Sequence, residues 1–128
     1  LCDTIGAGNP RQAFALGRAA AALCKDDVLL GMHLHDTRGL GLANMLAAMQ
    51  AGVSRFESSV GGLGGCPFAP GATGNTATED AVNMLHQMGI ATGIDLPKYL
   101  QTVSFVNEHV TADLSGHLFR ACQNSQTI

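Results

Sequence analysis

His33 and His35 stand two residues apart, and that spacing is the first chemical signal in the chain. On a strand, side chains at i and i+2 leave from the same face. Two imidazoles brought together in this way can bind one divalent ion, or they can form a hydrogen-bonded pair on a buried strand. Asp36 follows immediately and suits a turn, or a group supporting the ligands from behind, better than a ligand. Asn75 is either a turn residue after glycine or a carbonyl-oxygen ligand for a hard cation.

Cys66 differs from Cys2, Cys24 and Cys122 in its surroundings. It lies in the stretch 58–75, where six of eighteen residues are glycine and two are proline. No regular element accepts that composition. Connections of this length inside a domain are functional or disordered. Helix-start chemistry resumes directly after the stretch, so a mobile loop carrying one reactive thiol over a site is expected, with Gly64, Gly65 and Pro67 around the thiol. A free cysteine is ordinarily a small buried hydrophobe, which suits Cys24. In a polar loop the choices become nucleophile, proton donor or soft metal ligand. A His/His/Cys zinc site is among them, although a thiol on such a loop is a poor structural ligand. The run Gly6-Ala7-Gly8-Asn9-Pro10 could cradle phosphate or carboxylate on free N–H groups, or be a plain strand-to-helix turn. It lacks the full dinucleotide pattern. His86, His109 and His117 read as solvated surface.

The elements that must position these residues follow from local signals. Asn9-Pro10 starts a helix, with Asn as cap and Pro at the first position, and the Ala-rich run carries it to Lys25. Residues 28–35 form a short apolar run, consistent with a buried strand that Asp36-Thr37-Arg38-Gly39 ends. Leu42, Met45, Leu46 and Met49 mark one helix face, stopped by Gly52. Val53 to Val60 is a further strand running into the glycine stretch. Thr76-Ala77-Thr78-Glu79 fits a capping box for a helix to about Met88. Asp95-Leu96-Pro97 opens another helix with Leu100, Val103 and Val106 inward. From Thr111 the chain is polar and without period, so it is expected to be loosely held or packed on a partner.

Asp3 to His33 is 30 residues, and His33 to Ser58 is 25. An eight-fold (β/α) barrel repeats at about that length, given roughly 250 residues over eight units. Open doubly wound sheets have similar units. Either way Asp3, His33, His35 and Ser58 fall on one rim. The fold class expected is α/β: the C-terminal three βα units of a TIM barrel over residues 1–93, then an extra helix and tail over 94–128. The opening Leu1-Cys2-Asp3 reads as the end of a strand, which suggests the C-terminal piece of something larger.

Of the 128 residues, 46% are apolar and 13% charged, and the net charge is −3. This composition suits one globular domain and excludes disordered and fibrous classes. Mild acidity without charge blocks argues against nucleic acid and against a basic membrane patch. No apolar run nears the roughly 18 residues of a spanning helix, and the start has no targeting segment. Cysteines without CxxC spacing suit a reducing compartment, so disulfides are not expected.

Asp3-Thr4-Ile5-Gly6, His33-Leu34-His35-Asp36-Thr37 and Gly61-Gly62-Leu63-Gly64-Gly65-Cys66-Pro67-Phe68 with Gly74-Asn75 together resemble the C-terminal part of the 3-hydroxy-3-methylglutaryl-CoA lyase family. These are metal-dependent TIM-barrel lyases related to isopropylmalate and homocitrate synthases. The resemblance weakens after about Gly93. The HxHDT element is shared across the superfamily, whereas the loop with GGCP and a following GN is far more specific to the lyases. Gly61 stands where alanine is common. The family's first strand, with its aspartate ligand and catalytic arginine, has no counterpart here, nor does most of the acyl-CoA groove.

The resemblance implies that His33, His35 and Asn75 are ligands of Mg²⁺ or Mn²⁺ and that Cys66 is the loop cysteine of catalysis. It also makes Asp3 an acidic residue near the substrate. The implied reaction is retro-Claisen cleavage of 3-hydroxy-3-methylglutaryl-CoA, or a close relative, to acetyl-CoA and acetoacetate, as in leucine degradation and ketone body formation. Asp3 or His33 would take the hydroxyl proton, and Cys66 would protonate the enolate. The implied partners are an acyl-CoA and, in the complete enzyme, a second subunit. The implied compartment is the bacterial cytoplasm or the mitochondrial matrix. Two rivals stand beside this reading. One is a Claisen-condensing synthase, against which Cys66 speaks. The other is a non-catalytic fragment whose bare sheet edges would favour association.

Overall fold

Three parallel strands, each followed by a helix that returns the chain, make up the first two-thirds of the computed structural model, which describes residues 1–25, 27–65 and 74–124. The elements are β1 (Cys2–Asp3), α1 (Pro10–Leu23), β2 (Gly31–Leu34), α2 (Gly41–Gln50), β3 (Arg55–Glu57), α3 (Thr78–Gln87), α4 (Leu96–His109) and α5 (His117–Asn124). A single 3₁₀ turn at Val60–Gly62 opens the glycine stretch. The sheet order is β1-β2-β3, with Cys2 opposite His33, Asp3 opposite Leu34 and His33 opposite Glu57. This is the strand order of consecutive barrel units.

The helix ends obey their local chemistry. Asn9 accepts from the Gln12 N–H, and the Gln12 side chain accepts from the Asn9 N–H, with Pro10 at the first helical position. Asp95 accepts from the Lys98 N–H at the start of α4. Alternation along β2 then divides the sheet. Met32 and Leu34 are buried beneath the helices, in a core with Ala13, Met45, Ala48, Val53 and Ala81. Gly31 and His33 occupy the other face.

Three expectations are corrected by the structure. The third strand is shorter than Val53–Val60. Val53 N–H closes onto Ala48 O at the end of α2, while Ser59 leaves the sheet to bond the far side of the glycine stretch. The Thr76–Glu79 capping box does not form. The N-cap is Ala77, which offers no side-chain acceptor, and the Thr76 hydroxyl donates to Leu34 O on β2 instead. Glu79 turns toward Gly61. A buried cross-connection thus outcompetes a local cap.

The segment after Thr111 is also held rather than loose. Leu114 and Phe119 are buried with Val103 in a second core, against which Val60, Leu63, Tyr99 and Leu100 pack. Ser115 N–H bonds Gly61 O, so the tail grips the opening of the glycine stretch. The Asp80 carboxylate accepts the N–H groups of His117 and Leu118, which caps α5, and it also meets the His117 ring nitrogen. A lone polar segment reads as loose in sequence because its hydrogen-bonding anchors, Asp80 and Gly61, are 35 or more residues away. Among the described residues no helix is long and apolar enough to cross a membrane.

Replacing Asp80 by Ala removes the acceptor for two N–H groups at once. It should destabilise the chain by about 1–2 kcal/mol, the scale of a lost N-cap. Amide exchange should quicken selectively at residues 114–120, and unchanged exchange there would contradict the anchoring role.

Candidate metal centre at the carboxyl ends of the strands

The site is built where β2 stops. Two backbone bonds flank Asn75 there: Asp36 N–H donates to Gly74 O, and Thr76 N–H donates to Leu34 O. His35 and Asn75 face each other across the resulting antiparallel bridge. Gly74 makes this return possible. It has φ +112, and a Cβ on it would strike the carbonyl oxygens of Gly62 and Gly64. Few other residues could occupy that position.

The i, i+2 spacing places the histidines as the strand rule requires. The rings of His33 and His35 lie 5.0 Å apart, edge to face. The Asn75 amide nitrogen donates to Leu63 O at 2.8 Å. That bond settles which way the amide is turned, and among the described residues it leaves Oδ1 buried without a hydrogen-bond partner, as is Nδ1 of His35. Burial, and secondarily the neighbouring His33, hold the His35 pKa below the usual imidazole value, while Asp3 and Asn75 pull it back. The neutral imidazole so favoured is the form that ligates a metal.

An amide oxygen without a described partner, beside two edge-to-face imidazoles, is a donor set that fits a divalent cation. Two nitrogens with an oxygen is a borderline set, open to Mn²⁺, Mg²⁺ or Zn²⁺. Among the described residues no three His, Cys, Asp or Glu side chains gather. Any further ligands would therefore come from substrate, water or another part of the protein.

Asp3 is placed differently from a free carboxylate on the rim. Its two oxygens accept the N–H groups of Ala7 and Gly8, each at 3.0 Å. The N–H cradle of the Gly6–Asn9 run is thus filled by the chain's own acid, which answers the phosphate alternative in favour of the turn. Asp36 likewise serves the backbone, accepting the Gly41 N–H at 2.6 Å at the start of α2. Ser58 pairs with the Thr78 hydroxyl. Gly64 and Gly65 are exposed at the rim. Cys66 and Pro67 lie outside the described residues.

Two acids near the site escape sequence spacing. Glu57 contacts the His33 ring, with Oε2 3.0 Å from Nδ1. The signal for it was the strand register, invisible until β2 and β3 are aligned. Glu79 is fully buried, and its Oε2 accepts the Gly61 N–H at 3.0 Å while Oε1 has no partner among the described residues. Burial pushes its pKa up, against its own and Gly61's backbone N–H groups.

The HMGL-like family profile matches residues 1–106, well over half of the chain. The chain belongs to the HMGL-like family. Its relatives in that family include a hydroxymethylglutaryl-CoA lyase of Bacillus subtilis, 44% identical over 125 residues, which cover 98% of this chain and 42% of the relative. The mitochondrial hydroxymethylglutaryl-CoA lyase of Homo sapiens is 45% identical over 123 residues, covering 94% and 37%. Among solved structures, an HMG-CoA lyase from Acinetobacter baumannii in complex with coenzyme A and 3-methylmalate superposes with a TM-score of 0.90 at 43% identity. That superposition covers all of this chain and 42% of the other. The fold is thus that of part of an HMGL-like TIM barrel, and the chain spans about two-fifths of the length of these relatives.

The raised Glu79 pKa carries a sign that can be tested. A carboxyl with a higher pKa folded than unfolded binds more protons in the native state. Its contribution is therefore full below the ordinary carboxyl range and is lost as pH rises through the folded value. Glu79→Gln keeps an oxygen for Gly61 and cannot ionise. Its melting temperature should rise relative to the parent chain as pH goes from 4.5 to 8, and a pH-independent difference would refute buried Glu79 as the cause.

Proposed function

We propose that this chain supplies the cation-binding and thiol-bearing part of a carbon–carbon lyase acting on 3-hydroxy-3-methylglutaryl-CoA or a close 3-hydroxyacyl-CoA. The observation that carries the reading is the unpartnered Asn75 Oδ1, held beside His35, with the His33 ring 5.0 Å from that of His35. The names of the relatives, hydroxymethylglutaryl-CoA lyases at 44 and 45% identity, supply the substrate class.

In this reading His33, His35 and Asn75 would hold Mg²⁺ or Mn²⁺. The bound ion would act as a Lewis acid and template, lowering the pKa of the substrate's tertiary hydroxyl and fixing its oxygens. A base must then take the hydroxyl proton. His33 is poorly suited, because one ring nitrogen faces Glu57 and the other is needed as ligand. Asp3 is the better base. Each of its oxygens accepts one N–H and keeps a lone pair, and its charge is felt at His35. As the proton leaves, the hydroxyl carbon becomes the ketone of acetoacetate and the C–C bond electrons form the acetyl-CoA enolate. Cys66 S–H protonates that carbon, and the thiolate regains its proton in turnover. The sulfur is thus a proton donor, with no covalent adduct.

The open edge of β1 supports a place within a larger barrel. An apolar cleft of about 480 Å³ runs there, lined by Leu1, Leu16, Met32 and Leu34 among others. We propose that preceding barrel units fill it. We propose also that residues 1–93 complete the barrel, that residues 94–128 brace it, and that the whole enzyme is a dimer.

Two measurements test the reading. Mn²⁺ added to the chain should broaden the ring signals of His33 and His35 before those of His86, His109 and His117. Equal broadening of all five would remove the site. Separately, the chain can be joined to the part of the Bacillus subtilis lyase that it does not cover. The product should release acetyl-CoA from 3-hydroxy-3-methylglutaryl-CoA, and Cys66→Ser should slow turnover by about 10²–10⁴, the usual worth of a general acid. An unaffected rate would rule out the thiol as the donor.

A further inference from the structure

Resting on the cation reading above, we propose that Glu57 is a positioning residue, which fixes the tautomer of His33 so that Nε2 carries the lone pair for the ion. The placement begins with strand register. His33 on β2 and Glu57 on β3 are direct cross-strand partners in a parallel pair, so their side chains leave from the same face of the sheet. Glu57 Oε2 then lies 3.0 Å from His33 Nδ1.

A carboxylate has no proton to give, so the nitrogen facing it must be the donor. A neutral imidazole has one N–H. With that proton committed at Nδ1, Nε2 is left with the free lone pair, which is what a divalent ion needs. Isolated histidine side chains in water favour the opposite tautomer, so an acceptor at Nδ1 has real selective work to do. The neighbouring histidine differs. At His35 the polar neighbour is the Asn75 side chain rather than a cross-strand acid, and among the described residues Nδ1 has no hydrogen-bond partner. The two imidazoles of the pair are therefore controlled unequally. His33 is oriented by a cross-strand acid, and His35 by burial against Asn75.

Glu57 is itself largely exposed, on an open face of about 580 Å³ that Gly31, His33 and Arg55 also line. Its alternative role is direct ligation, and the experiment separates the two. In the metal-free, ¹⁵N-histidine-labelled chain above the ordinary histidine titration range, two-bond ¹H–¹⁵N couplings report which nitrogen is protonated. His33 should be Nδ1–H in the parent and Nε2–H in Glu57→Ala. Glu57→Gln keeps an amide oxygen able to accept, and it should restore Nδ1–H. In Mn²⁺ titrations, Glu57→Ala should need about tenfold more Mn²⁺ or beyond to broaden His33, the usual loss when such a partner is removed. Glu57→Gln should stay close to the parent.

A parent His33 already in the Nε2–H form, or a tautomer unchanged in Glu57→Ala, would overturn the assignment. So would a Glu57→Gln variant as weak toward Mn²⁺ as Glu57→Ala, since that would make Glu57 a ligand. Failure of the cation reading looks different: no preferential broadening of His33 and His35 in the parent, whatever the tautomer.

Discussion

Two backbone hydrogen bonds, one on each side of Asn75, hold the molecule's chemistry in place. Asp36 N–H to Gly74 O and Thr76 N–H to Leu34 O join the end of β2 to a residue forty positions further on. Closing so long a loop costs entropy that grows only slowly with its length, so a few buried bonds suffice. The Thr76 hydroxyl adds another bond to the same Leu34 oxygen, away from water. Without this clasp Asn75 would be one more polar residue after a glycine. With it, an amide oxygen stands beside His35, and both ends of the glycine stretch are tied to the sheet.

The polar groups around this clasp divide into those already satisfied and those not. Asp3, Asp36 and Asp80 each give their carboxylates to backbone N–H groups of turns or helix starts. Such groups build the rim and have less left for a ligand. Among the described residues, His35 Nδ1 and Asn75 Oδ1 are two of the buried side-chain atoms without a hydrogen-bond partner. Leaving a buried polar atom unsatisfied costs about 1–3 kcal/mol. Native structures explain such atoms by unseen water, ions or catalysis. The clustering at the strand ends, where barrel enzymes do their chemistry, favours an ion over scattered water.

Much of this was legible before any coordinates. The two-residue period of a strand is enough to put His33 and His35 on one face, Asn9-Pro10 and Asp95 start their helices as their side chains dictate, and Gly52, at φ +98, follows the end of α2. What sequence could not reach were the features set by long-range pairing. Thr76 matched a capping motif yet gave its hydroxyl to β2, because a buried acceptor there is worth more than an exposed cap. Glu57 is an ordinary charged residue until register sets it opposite His33. The segment beyond Thr111 has no period of its own. Its order comes from Asp80 and Gly61, both distant in sequence, and from the apolar pocket around Val103 on α4. In the glycine stretch the described residues up to Gly65 carry only the 3₁₀ turn at Val60–Gly62, and Cys66 lies outside the described residues.

The arrangement also bears on how a site made from separate parts of a barrel can work. Hard divalent ions take about six ligands. In the proposed site this chain would offer two nitrogens and one oxygen, and the rest would come from elsewhere. Such a site gains most when the partial set is already rigid before the ion arrives, since ordering of ligands is then not charged against binding. Each of the three donors here is fixed by an independent contact that does not involve an ion. Asn75 is held by Leu63 O, His33 by Glu57, and His35 by burial and the bridge. The glycine turn is held in addition by Glu79 and Ser115 from behind. The proposed half-site would therefore be preformed by backbone pairing and side-chain hydrogen bonds within this chain, and a cation would find its geometry rather than create it.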